Sequence, residues 1–333
     1  MRLTRPVSPS VRLLRALSLA AALAAMMLAG AACSKARPQN KAFYINSYHE
    51  GYAPSDEAMD AIRKILNAAG VQLEVFFLDA KRHPETDEIL KRSAEALERI
   101  QKFRPDVLIA SDDDAVKYVI APHFRSGPIP AVFCGVNWSS EPYGLPSENV
   151  TGMIETVPVE AALKDLRRSF PKIQKLRVLS EDSTSERNNR ALLDPLYRRL
   201  GFEPSYALVA DFASWKKEFV KAQLEADVIY LPTMGAVAGW NEAEARQWVA
   251  QHIRKPVFTC DDFMMPYAAY GLTKVAREQG EWAAAAALKI LRGAKPRDIP
   301  LASNQRVRCF VNPELSEKIG FHPPDERSCE GRR

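Results

Sequence analysis

From Lys41 onward the chain alternates short apolar runs with amphipathic stretches. Lys41–Ser47 is an apolar run, and Ser55 stands where it would cap a helix reaching Ala69, stopped by Gly70. Val71–Leu78 reads as a strand. Pro84–Phe103 reads as an amphipathic helix with Leu90, Ala94, Leu97 and Ile100 on one face. Val107–Ala110 predicts a strand, Ala115–Phe124 a helix and Ile129–Val136 a strand. The strands are continuous in Val, Ile, Phe and Leu rather than alternating, which indicates a parallel sheet covered on both faces.

The same rhythm restarts after Asn149–Glu155. Helices are predicted over Val159–Phe170, Ser185–Leu200, Ala213–Glu225 and Asn241–Ile253. Between them lie strands at Lys175–Ser180, Ser205–Ala210, Asp227–Pro232 and Pro256–Thr259. Tyr270–Ala276, a helix over Trp282–Arg292 and the run Arg306–Val311 remain when this second half is complete. The expected fold is therefore α/β, with two doubly wound, Rossmann-like parallel-sheet lobes and a chain that crosses back. The expected division is lobe I over 41–153, lobe II over 154–270, a return to lobe I over 271–300, and a final crossover and tail over 301–333. The hinge would run through Asn149–Glu155, Gly271–Val275 and the approach to Arg306.

Open parallel sheets bind ligands beyond the carboxyl ends of their strands, where helix N-termini also point. In the first half those ends carry Ser47, Tyr48 and His49, then Asp112 and Asp113, then Gly135, Asn137 and Trp138. In the second half they carry Glu181, Asp182 and Ser183, then Asp211 and Phe212, then Thr233 and Met234, and last Asp261 and Asp262. Carboxylates and aromatic rings are thus interleaved, a set suited to a cationic amine and a flat or apolar group. Asp112 and Asp261 are the expected amine anchors. Many such residues are also ordinary helix caps, and Asp114 reads as one.

The first residues change the picture of the compartment. Arg2, Arg5, Arg12 and Arg15 precede an apolar run from Ala16 to Leu28 and the small residues Ala29 to Ala32, the layout of an export signal over 1–32. Cys33 then admits two readings: lipidation of this cysteine, with 33–40 as a tether and contact with a membrane through the anchor, or ordinary cleavage after Ala31 or Ala32. Loss of 1–32 removes four Arg and no acid, so the formal charge falls from +5 to +1. The basic balance is signal rather than a nucleic-acid surface. Of the five cysteines, Cys134 and Cys260 sit in strand-like runs as buried thiols, while Cys309 and Cys329 can form a disulfide in an oxidising periplasm. No spacing matches a zinc or calcium site, a phosphate loop or a hydrolase elbow, so neither a metal, a cofactor nor catalysis is expected.

Several motifs together resemble a known family. Ile45-Asn46-Ser47-Tyr48-His49 precedes Gly51-Tyr52 and Ser55-Asp56, and Arg104-Pro105-Asp106 leads into Val107–Ala110. Near the end, Ile290-Leu291-Arg292-Gly293-Ala294-Lys295-Pro296 is followed by Ile299-Pro300, then Val311-Asn312-Pro313 and Ile319-Gly320-Phe321. This series is similar to the ABC-transporter substrate-binding proteins of the type I periplasmic-binding fold. The resemblance implies two lobes joined by three crossovers, hinge closure on a small organic ligand such as an amino acid, and a monomer that delivers to an inner-membrane permease. The Ser-Tyr-His opening also resembles relatives linked to sensor kinases and cyclases, which implies ligand sensing as a second reading. Here Ala53-Pro54-Ser55 stands where the family usually has Trp.

Overall fold

A computed structural model describes residues 39–324 and 328–331. The export segment, Cys33 and the tether as far as residue 38 lie outside the described residues. The first sheet contains β1 (Lys41–Asn46), β2 (Gln72–Phe77), β3 (Val107–Ser111), β4 (Ala131–Asn137), β5 (Val150–Glu155) and β11 (Ala302–Ser303). Its order is β11-β5-β4-β3-β1-β2, and every pairing is parallel. The second sheet contains β6 (Lys175–Glu181), β7 (Glu203–Val209), β8 (Val228–Tyr230), β9 (Val257–Thr259), β10 (Tyr270–Lys274), β12 (Val307–Val311) and β13 (Cys329–Gly331). Its order is β13-β12-β10-β9-β8-β6-β7, with β10 and β12 the antiparallel pair.

Continuous apolar strands arise because both faces are covered. In the first sheet Phe43, Ile45, Leu108 and Phe133 point toward Ala96, Ile100, Val116 and Ile120. The alternate residues Tyr44, Ile109, Val132 and Cys134 pack on Met59, Ile62 and Leu66 and on the alanine-rich Ala283–Ala287 segment. Each large apolar side chain removed from water in this way contributes about 1.5–3 kcal/mol. The alanines let two helices approach closely. A side chain on Gly280 would overlap the main chain of Ala58 in the helix Ala53–Ala68.

The structure moves some expected boundaries. Ser55 does not cap the first helix, which begins at Ala53 with Pro54 in its first turn, where no amide partner is needed. Ser55 instead donates 2.7 Å to Asn46 Oδ1, locking the end of β1. The helix expected at Trp282 starts at Ala276, and β10 extends to Lys274 within the second sheet. The return to the first lobe therefore falls at Val275 rather than 271. The first crossover follows Glu155, because Asn149–Glu155 is largely the strand β5.

Three short connections join the lobes: Thr156–Pro158, Val275, and Asn304–Arg306. Two are tied together. Thr156 N donates 2.7 Å to Asn304 Oδ1, and Asn304 Nδ2 returns 3.0 Å to Thr156 O. Among the described residues no helix is long and apolar enough to cross a membrane.

Cys309 and Cys329 form a disulfide, which fixes β13 beside β12 across a sequence separation of 20 residues. Cys134 and Cys260 are buried thiols. Cys329→Ser should lower stability by about 3 kcal/mol at most, the loop-closure entropy of such a link. Limited proteolysis and thermal melting should show the C-terminal strand released while lobe cores and ligand binding persist.

Candidate functional site

The carboxyl ends of both sheets face each other, and the space between them is a narrow cleft with a cavity of about 60 Å³. Three helices begin at its wall, contributing Pro54 and Ser55, Ser185 and Glu186, and Ala276. The lobes are drawn together over it. Tyr48 OH meets Ser185 Oγ at 2.8 Å, Tyr52 OH meets Thr233 Oγ1 at 3.1 Å, and Trp138 Nε1 donates 3.1 Å to Asn189 Oδ1.

Asp112 projects into this space from the end of β3, in a left-handed backbone conformation with φ of 67°. Such a conformation costs a non-glycine residue roughly 1–3 kcal/mol and persists only where its surroundings enforce it. Gly135 is part of the enforcement. A Cβ there would lie 2.9 Å from Asp112 Oδ1, and Gly135 itself has φ of 73°. Gly135 N donates 3.0 Å to Gln279 Oε1 on the helix Ala276–Leu291, so the helix of the return segment sets the β4 turn beneath Asp112.

The other cleft charges have partners, in ion pairs or, for Glu186, in hydrogen bonds from Ser180 and Asn189. Lys274, at the end of β10, binds Glu155 and lies 3.2 Å from Asp261. Burial would lower the Lys274 pKa, but Asp261 and Glu155 outweigh it and hold the ammonium charged. Lys81, in the loop after β2, binds Glu181 of the second lobe, and both are buried. Asp112 has no such partner among the described residues. Burial, followed by Glu155 and Asp113, pushes its carboxyl well above the usual range. Burial also raises Asp261 to about 6, against the opposing pull of Lys274. Glu186 rises to about 7 through burial and then Glu181, although Ser180 Oγ and Asn189 Nδ2 both donate to it.

Of the residues expected from strand ends, Tyr48, Asp112, Gly135, Asn137, Thr233 and Asp261 line the cleft. The others do not. Ser47 Oγ donates 2.5 Å to Ser111 O and accepts from Ala115 N, pinning two strand ends. His49 turns to Asp79 at 3.6 Å. Asp113 accepts from Asn137 Nδ2 and Tyr143 OH at 2.6 and 2.7 Å and organises the wall from behind. Trp138 packs at the lobe contact, on the rim. Asp182 is exposed and pairs with Arg187, while Ser183 caps the helix Thr184–Arg199. Phe212 and Met234 belong to the second lobe's core. Phe212 lies 5.1 Å from the Trp240 ring, because the first turn of its helix faces inward. Asp262 points toward Arg308 at 3.8 Å. Asp114 is buried in its helix turn with no capping bond, in contrast to its expected role.

Strand-end reasoning omitted Lys81, Tyr52, Glu155, Glu186, Asn189 and Lys274, all of which line the cleft. Lys81 follows β2 and was accessible to the same rule. Glu155 and Lys274 close the two strands that lead into crossovers, so the same signal marked them too. Glu186 and Asn189 are one helical turn apart on a helix read only for its packing face. Among the described residues no group of His, Cys, Asp and Glu is arranged to hold a metal ion.

Two parallel-sheet lobes joined by three crossovers around a charged cleft define a type I periplasmic-binding architecture. Matching solved structures share it. An ABC domain from Streptococcus pneumoniae, solved in complex with L-Trp, is 13% identical with a TM-score of 0.68, covering 87% of this chain and 99% of that one. A conserved domain protein from Vibrio cholerae is 16% identical with a TM-score of 0.70, over 87% and 99% of the two chains. The leucine-binding protein LivK of Thermotoga maritima is 13% identical with a TM-score of 0.54, over 76% and 83%. No curated protein matches the sequence. The family profile described as ABC transporter substrate binding protein matches residues 53–330, and the chain belongs to that family.

Two expectations follow from the geometry. Gly135→Ala should displace the Asp112 carboxylate and weaken ligand binding, and the positive φ at 135 should also lower stability by about 1–3 kcal/mol, as calorimetry and thermal denaturation will report. Glu186 has a folded pKa of about 7 against an ordinary value of 4.5, so the folded protein keeps a proton that the unfolded chain releases between those values. Stability therefore falls as pH rises through that window. Glu186→Gln should flatten that part of the stability–pH curve and raise the melting temperature at pH 8.

Proposed function

We propose that this protein captures an amine-bearing organic solute, such as an amino acid, by closing its lobes, and passes it to a membrane permease. The observation that carries this reading is Asp112, which faces the cleft with no ion pair or side-chain hydrogen bond among the described residues, while Glu155 and Asp261 share Lys274, Glu181 meets Lys81, and Glu186 accepts from Ser180 and Asn189. An ammonium group supplies the missing partner through charge-assisted hydrogen bonds. The helix N-termini bearing Ser55, Ser185 and Ala276 suit a ligand carboxylate, since unpaired amides and the helix dipole both favour an anion. Tyr48, Tyr52 and Tyr230 add apolar surface for the rest of the molecule. Binding alone accounts for this set, and no catalytic role is assigned to any of its residues. Capture outside the cytoplasm agrees with the export signal, and acylation of Cys33 would hold the protein at a membrane as a monomer.

Isothermal calorimetry against amino acids and simple amines tests the reading. A saturable ligand with an ammonium group is expected. Asp112→Asn should weaken it by about 2–5 kcal/mol, the usual effect of breaking a buried charged contact. Unchanged affinity in that variant would remove Asp112 as the anchor. Protonation of Asp261 near 6 and Glu186 near 7 reduces the negative charge facing the ligand. Affinity should consequently fall as pH is lowered from 8 to 5, in a titration followed by tryptophan fluorescence.

A further inference from the structure

Lys81 carries an inference of its own. Its side chain leaves the loop after β2 in the first lobe, crosses the cleft, and is 3% exposed. The ammonium lies 4.5 Å from the centre of the Tyr48 ring and 4.9 Å from that of Tyr52. These rings meet edge to face at 5.2 Å, forming two walls. Glu181 of the second lobe forms the third, and it is itself held by Ala236 N at 2.7 Å. Thr233 Oγ1 joins Tyr52 OH at 3.1 Å and closes the corner. The last side is Gly235, where a Cβ would lie 2.6 Å from the Tyr52 ring and 3.1 Å from Lys81 Cδ. Two aromatic rings and a carboxylate around one ammonium make a box for an alkylammonium ion.

We infer that this box is a second cation site of the cleft and that Lys81 occupies it as a tethered ligand. Two consequences follow. The lobes are latched by an internal cation. An incoming molecule also finds one vacant anionic anchor, Asp112, rather than two. Lys81 is thus a specificity-determining residue that favours ligands with a single ammonium over diamines. This second consequence rests on the amine reading above; the existence of the box does not. A plain interlobe ion pair is an insufficient account, because a buried pair is a weak stabiliser unless further contacts offset its desolvation. The rings and the Ala236 amide are those contacts, and they address the cation and the anion separately.

The test empties the box. In Lys81→Ala, n-propylammonium chloride should raise the melting temperature saturably, with at least about tenfold higher affinity than for the parent. Sodium chloride at equal ionic strength should not. The effect should vanish in Lys81→Ala/Glu181→Gln, and in Lys81→Met, where an apolar chain fills the space. If Lys81→Ala is poorly folded alone, refolding on addition of the alkylammonium is the readout. Alkylammonium uptake no better in Lys81→Ala than in Lys81→Met overturns the proposal. For specificity, diamines of two to six carbons should bind Lys81→Ala more tightly than the parent, and unchanged diamine selectivity overturns that part. Asp112→Asn separates the two readings. It should weaken cleft binding of the ligand's amine by about thirtyfold or more while leaving the n-propylammonium response of Lys81→Ala intact.

Discussion

The arrangement depends on one buried cation at the hinge. Lys274 ends β10, at the second crossover, and holds Glu155 at the end of β5 and Asp261 beyond β9. Two strands of one lobe and one of the other therefore terminate on a single ammonium. Without it, two carboxylates would be left buried and close together, which is far costlier than the pair is stabilising. The crossovers are short enough to keep these groups in contact, and Asn304 with Thr156 holds the adjacent connection. The cleft can be rich in acid because its floor is neutralised in this way.

The parallel-sheet architecture was largely readable from the sequence. Strands buried on both faces announce themselves as unbroken Val, Ile, Phe and Leu, and nearly every expected strand appears within two residues of its position. What misled was local chemistry at the joints. Ser55 resembles a cap, yet the helix already begins two residues earlier with Pro54 in its first turn, and the hydroxyl goes to Asn46. Tyr270–Lys274 could be read as the start of a return, because a lone strand does not reveal which sheet it joins.

The site was only half legible, for a physical reason. The strand-end rule selects positions, whereas the direction of a side chain depends on the turn that follows. Asp112 and Asp113 are neighbours, and the positive φ of Asp112 sends it into the cleft while Asp113 turns back to Asn137 and Tyr143. Phe212 sits at a strand end too, but its helix begins with an inward-facing turn and takes the ring into the core. Lys274 ends a strand and Lys81 follows one, just as the carboxylates do, and a sequence does not show which of two opposite charges at neighbouring strand ends will pair. Lys81 and Lys274 turn an acidic cleft into one whose charges are mostly satisfied.

Gly135 and Asp112 bear on how such a pocket could change its cargo. The absent side chain of Gly135 is the space that the Asp112 carboxylate uses. Mutational routes to a new ligand are therefore constrained: a larger residue at 135 must both displace the Asp112 carboxylate and adopt a positive φ, so change at 112 is open while 135 is held to glycine. The cargo of such a pocket is thus free to drift through residue 112 on a turn whose geometry stays fixed by the glycine beneath it.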